Sequence, residues 1–169
     1  MIEPPTRIPS LGPRGEGWVA AQIALFVVVA GFGVRDLEAG TAASLMSFPA
    51  VVGLIAVGAA LLVLGGVVAV RAMRDLGRNL SPFPRPLAGS ELVETGLYRL
   101  VRHPIYSGLI LAGLGWSVAT ASGWAGLSTL ALAVTLDLKA RREETWLGEA
   151  LDGYPAYRAR TKRLIPFVY

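Results

Sequence analysis

Between Pro104 and Leu136 the chain runs for 33 residues without a charge. As one helix rising 1.5 Å per residue, this block would reach roughly 50 Å, well beyond the ~30 Å hydrocarbon core of a bilayer. It must therefore fold back on itself. Thr120-Ala121-Ser122-Gly123 supplies small, polar and helix-breaking residues for the reversal, leaving two arms that are each a little short for a free-standing span. Two further apolar segments, Trp18 to Val34 and Phe48 to Val70, have the length of single crossings and are bounded by arginine, proline or acidic residues. With 53% of residues apolar and 17% charged, composition excludes an ordinary soluble domain and a disordered chain alike. The expected fold is all-α: an integral membrane protein of four transmembrane helices, the third and fourth forming a helical hairpin.

Lysine and arginine set the expected orientation. Two precede the first span, one lies in loop 35–47, six in 71–103, none in the reversal and seven in 139–169. The positive-inside rule then puts both termini, the central loop and the C-terminal tail in the cytoplasm. The net charge of +4 follows from that concentration and needs only anionic headgroups as its partner, not nucleic acid. There is no cysteine and a single histidine, which excludes disulfides, a thiolate nucleophile and a His- or Cys-cluster metal site. The opening Met-Ile-Glu-Pro-Pro lacks a cleavable leader's pattern, so the first apolar block is expected to be a retained span.

Three regions are expected along the chain: a flexible lead over 1–17, two spans over 18–70, and a core over 71–169 made of an interfacial loop, the hairpin and the tail. Gly53, Gly58, Gly65 and Gly66 in the second span permit close helix packing in lipid. Ser81 to Pro86, with alternate prolines, cannot be helical. Glu91 to Val101 suits a short amphipathic piece lying on the membrane. From Leu138 to Asp152 the pattern is helical and polar, projecting the fourth span beyond the bilayer; Asp152-Gly153 ends it, and Tyr154-Pro155 is expected to prevent immediate resumption.

Single motifs here have simple structural accounts. Arg102-His103-Pro104 reads as a basic, proline-started helix entrance, and Glu143-Glu144 as a solvated helix face with Lys139 one turn earlier able to pair with Glu143. Gly113-Leu114-Gly115 reads as a packing patch, and the tyrosines and tryptophans as an interfacial belt. Their order along the chain carries more. Arg-His-Pro-x-Tyr-x-Gly at 102–108, an apolar hairpin, Glu143-Glu144-x-x-Leu147, Tyr154-x-x-Tyr157-x-x-Arg160 and Ile165-Pro166 resemble the isoprenylcysteine carboxyl methyltransferase family and its phospholipid methyltransferase relatives. The likeness covers about residues 76 to 167 and includes Leu76-Gly77-Arg78-Asn79 and Glu94-Thr95-Gly96-Leu97-Tyr98.

That resemblance implies an S-adenosylmethionine-dependent methyltransferase, with the cofactor between the histidine hinge and a cytoplasmic catalytic tail and a lipophilic or prenylated acceptor entering sideways from the bilayer. Leu100, Val101, Arg102, His103, Tyr106, Gly108, Glu143 and Glu144 would hold the cofactor. Glu144 and Arg160 would act in the reaction, and Tyr157, Arg160 and Trp146 would meet the acceptor. The favoured acceptor is an isoprenylcysteine-type carboxylate, which is already ionised, can be oriented by Arg160 and needs no general base; the alternative, a phospholipid amine, must first lose a proton. Two other functions remain open. A sterol-type reductase would need Arg99, Arg102, Arg158, Arg160, Lys162 and Arg163 to hold NADPH phosphates, and a non-catalytic membrane adaptor would need none of these residues. Oligomeric state is not legible.

Overall fold

The computed structural model describes residues 8–169, so the first seven residues of the expected flexible lead lie outside the described residues. The described residues are all helical, without a strand. In order they form α1 (Glu16–Glu38), α2 (Thr41–Leu45), α3 (Phe48–Leu76), α4 (Pro104–Ala119), α5 (Gly123–Ala150) and α6 (Tyr154–Arg160), with short 3₁₀ turns at Gly77–Asn79 and Gly96–Arg99. α4 and α5 pack on each other in the middle, α3 lies along α4, and α1 lies along α5.

Two helices, α1 and α3, are long and apolar enough to cross a membrane. Only 17% of the most apolar stretch of α1 and 11% of that of α3 is buried. A soluble core would bury these faces; here Val27, Val63 and Phe48 point outward, more than three-fifths exposed, as contact with lipid requires. The hairpin arms are shorter. α4 has 16 residues, about 24 Å of helix, and the charge-free part of α5, Gly123 to Leu136, is shorter still.

α3 meets α4 almost backbone to backbone. A Cβ added at Gly65 would lie 2.5 Å from the amide nitrogen of Ala112, and one at Gly115 would lie 2.3 Å from that of Leu62. Small residues at these helical intervals let two helices approach where lipid supplies no hydrophobic drive. α1 is fixed to α4 by Trp116, whose Nε1 donates to Val29 O at 3.2 Å above Gly33.

α4 ends and α5 begins within the expected reversal. Ser122 caps α5, its Oγ accepting from Ala125 N at 3.1 Å, and donates to the buried Asp36 carboxylate at 2.6 Å. That bond ties the reversal to the end of α1. Two local expectations fail. Residues 91–95 are irregular and only Gly96–Arg99 form a 3₁₀ turn, because the Asp75 carboxylate accepts Leu97 N at 3.0 Å and Gly96 turns the chain with φ 58°. And α6 starts directly at Tyr154, since Pro155 falls in the first turn, where its missing N–H removes no helical bond.

Candidate active site

At the end opposite the reversal, the N-termini of α1 and α4 meet the C-terminal parts of α3 and α5. After α3 the prolines of Ser81 to Pro86 keep the chain out of a helix, and it bends over residues 82–85, where Pro82 to Pro86 line the mouth between helices as a roof. Asn79 pins both ends of this loop, donating from Nδ2 to Glu91 O at 3.0 Å and accepting Glu91 N at 3.2 Å. Residues before α1 brace it from outside: Arg85 donates to Pro13 O at 3.0 Å, and Arg14 lies over the Phe83 ring. Beneath the roof is a cavity of about 350 Å³. Leu76, Leu80, Leu92, Ile105, Leu109 and Leu147 make much of its wall apolar, while His103, Tyr106, Lys139, Glu143 and Tyr154 bring polar groups to it.

His103 is the residue just before α4, 6% exposed, and Pro104 starts the helix behind it. Its ring stacks on that of Tyr106, 5.3 Å apart and 4° from parallel. The Tyr106 hydroxyl donates to Glu143 Oε2 at 2.7 Å, and His103 Nδ1 stands 3.8 Å from the same oxygen. Glu143 is thus aimed by two aromatic neighbours, with its side chain 24% exposed.

Glu144 faces the other way and is 3% exposed. Its carboxylate accepts from Arg102 Nε at 2.9 Å, Arg163 Nε at 3.0 Å and His103 Nε2 at 3.2 Å. An ionised carboxylate only accepts, so Nε2 carries the imidazole proton. Burial opposes ionisation of Glu144 most strongly, but the bonds from His103, Arg163 and Arg102 outweigh it and hold the carboxyl well below its usual range. The tail is sewn to the hinge around this hub. Arg102 N donates to Lys162 O at 2.8 Å, His103 N to Arg163 O at 3.0 Å, and the Arg102 guanidinium also reaches Thr161 O.

Tyr157, 2% exposed, donates its hydroxyl to Tyr98 O at 2.7 Å, and burial pushes its phenol up to about 12. Tyr154 packs edge-on against it. The Tyr154 hydroxyl is buried and has no hydrogen-bond partner among the described residues; burial and the charges of Glu144 and Glu143 raise its pKa, so it keeps its proton.

The expected site residues therefore separate. Arg102, His103, Tyr106, Glu143 and Tyr157 line the cavity, and Glu144 stands behind them as the hub. Val101 is buried in a backbone bridge to Lys162 and Leu100 is exposed. Gly108 faces α3, where a Cβ would lie 2.6 Å from Ala69 N. Trp146 lies between the Arg142 and Arg85 guanidinium groups and borders a separate hollow beside loop 85–90. Arg160 is on the surface, bound to Glu94 and over the Tyr157 ring. Of the six cations that a dinucleotide's phosphates would require, Arg102 alone lines the cavity, and it is bound to Glu144.

Two participants were not legible. Lys139 does not pair with Glu143; its ammonium instead reaches Gln22 of α1 and Pro82 of the roof. The roof itself carried only the signature of a turn. Its alternate prolines ruled out a helix without showing what the segment covers.

A protein-family model described as phospholipid methyltransferase matches residues 54–152, more than half the chain. The match runs from α3 to just past the end of α5 and includes His103, Tyr106, Glu143 and Glu144. No curated protein matches the sequence. With the family match spanning the helices that build the cavity, the chain belongs to the phospholipid methyltransferase family, which takes in the isoprenylcysteine carboxyl methyltransferases.

Proposed function

We propose that this chain transfers a methyl group from S-adenosylmethionine to a lipid acceptor lodged in the membrane, with the cofactor held under the proline-rich roof. One observation carries the reading: His103, Tyr106 and Glu143 converge on one cavity, to whose wall Tyr154 and Tyr157 also contribute. The residues fit the cofactor's chemistry. A carboxylate suits its sulfonium and ammonium groups, and the Leu- and Pro-lined wall suits adenine. The volume is within the range of small-molecule sites. When bound, the cofactor would supply an electrophilic methyl group whose bonding pair stays on sulfur. Glu143 would orient the cationic groups, and the roof with its apolar lining would exclude water, so that positioning and desolvation lower the barrier. Glu144 would keep hinge and tail together rather than touch the ligand.

For the acceptor, a phospholipid amine is favoured. Arg160, which would have oriented an isoprenylcysteine-type carboxylate, is engaged with Glu94 outside the cavity, whereas the Glu143 carboxylate in the cavity wall is a group beside which a cationic headgroup can sit. The proposed topology is four crossings with the cavity and both termini in the cytoplasm. It is supported by the basic residues: among those described, Arg35 alone lies at the end with the reversal. A short hairpin is accommodated by local thinning of the bilayer.

The test is transfer of labelled methyl from S-adenosylmethionine by the purified chain to vesicles containing phosphatidylethanolamine, in parallel with vesicles containing a prenylcysteine acid. Label in the amine lipid is expected. Label confined to the carboxylate would reverse the acceptor assignment, and label in neither, with folded protein, would overturn the function.

A further inference from the structure

One cation in the cavity wall closes no ion pair among the described residues. Lys139 lies on α5 one turn before Glu143 and is 2% exposed. Its Nζ donates to Gln22 Oε1 at 2.7 Å and to Pro82 O at 2.9 Å, both neutral acceptors. An ammonium carries three donors, so one N–H remains beyond these two. Among the described residues no carboxylate forms an ion pair with it, and Glu143 is turned toward Tyr106 and His103 instead. Besides these two acceptors, its Nζ lies 5.2 Å from the centre of the Tyr106 ring. Burying an ammonium without an ion-pair partner is costly, and burial pushes the Lys139 pKa down while the charge of Glu143 acts the other way. Arg102, the other buried cation of the wall, is by contrast bound to Glu144 and to tail carbonyls.

Lys139 and Glu143 stand at i and i+4, on one face of the helix, and both line the cavity without closing on each other. A cation and an anion so placed match a ligand that carries both charges a few atoms apart. We propose that Lys139 is the anion subsite of the cavity, its charge and remaining N–H holding a carboxylate or phosphate oxygen of a zwitterionic group whose ammonium faces Glu143. Two sources share that chemistry: the amino-acid end of S-adenosylmethionine and the phosphoethanolamine headgroup of a lipid. The identity of these ligands rests on the methyltransferase reading; the subsite itself rests on the lysine.

The experiment titrates four probes into the full-length chain in detergent by calorimetry: S-adenosylmethionine, its decarboxylated analogue, dihexanoyl-phosphatidylethanolamine and dihexanoylglycerol. Each is titrated into the unaltered protein and into Lys139→Gln, which keeps N–H donors for Gln22 and Pro82. The substitution is expected to weaken one zwitterion by about tenfold to a hundredfold, the scale of one charge-assisted hydrogen bond. If S-adenosylmethionine is the one weakened, its decarboxylated analogue binds both proteins alike and the amino-acid end is the ligand. If the lipid is weakened, dihexanoylglycerol behaves in that way and the headgroup is the ligand. Equal binding of both zwitterions to the two folded proteins overturns the proposal. Should Lys139→Gln not fold, the unaltered chain decides: no preference for either zwitterion over its anion-lacking counterpart overturns it equally. Lys139-dependent lipid binding without any S-adenosylmethionine binding leaves the subsite standing and removes the methyltransferase reading.

Discussion

The α3–α4 seam and the cavity end of the molecule are held by different physics. Along α3 and α4 the contact is one of shape, with Gly58, Gly65, Gly108 and Gly115 bringing backbones together and no charge involved. At the cavity end the contact is one of charge, with Glu144 gathering Arg102, Arg163 and His103 and thereby fastening the tail to the hinge. The first should be insensitive to pH and intolerant of volume. The second should tolerate small changes of volume and depend on ionisation.

The largest effect expected is from Glu144→Ala. Removing the hub leaves Arg102 buried without its counter-charge, at a cost of about 3–5 kcal/mol. Thermal unfolding should show it as a large fall in Tm together with lost cofactor binding. An unchanged Tm would show that the cavity end does not depend on charge. Next comes acid. Because the folded Glu144 pKa is depressed, its contribution to stability is complete above the ordinary value of 4.5 and is lost as pH falls below that toward the lowered folded value. Denaturation followed at decreasing pH should therefore expose the tail first, read by hydrogen exchange of the backbone amides of 154–164, while α3 and α4 stay protected. Simultaneous exchange throughout would erase the distinction between the two regions.

Gly65→Val tests the seam. The added side chain meets the Ala112 backbone, and overpacking of this kind costs about 1–3 kcal/mol. The loss should be the same at pH 5 and pH 8, and a pH-dependent loss would contradict the picture of a charge-free contact. The smallest effect belongs to Arg160→Ala. Its pair with Glu94 is half-exposed, worth under about 1 kcal/mol, and methyl transfer should continue at close to the original rate. A hundredfold loss of kcat with unchanged folding would restore Arg160 to the reaction.

The same contrast governs what the sequence disclosed. The hairpin was legible because a charge-free block longer than a bilayer leaves no alternative to a reversal, and Thr120 to Gly123 marked its place. His103, Tyr106 and Glu143 were legible through motif order. Glu144 was found with them, but adjacent helix positions point about 100° apart, so one of the pair had to face away from the cavity, and only the Arg102, Arg163 and His103 partners decide which. Gly108 was read as part of the site because it belongs to the motif, whereas its lack of a side chain serves α3. Lys139 was read against its helical neighbour Glu143, and the partners it takes come from α1 and the roof, contacts that no local spacing encodes.

The claim that everything else requires is that Glu143 faces a cavity that takes S-adenosylmethionine. Calorimetric titration of the cofactor into the unaltered chain and into Glu143→Gln measures this directly. The account predicts saturable binding by the unaltered protein and binding weakened about tenfold or more by the substitution, with Tm unchanged. Equal affinity in the two proteins, or no binding by a folded unaltered chain, would contradict it.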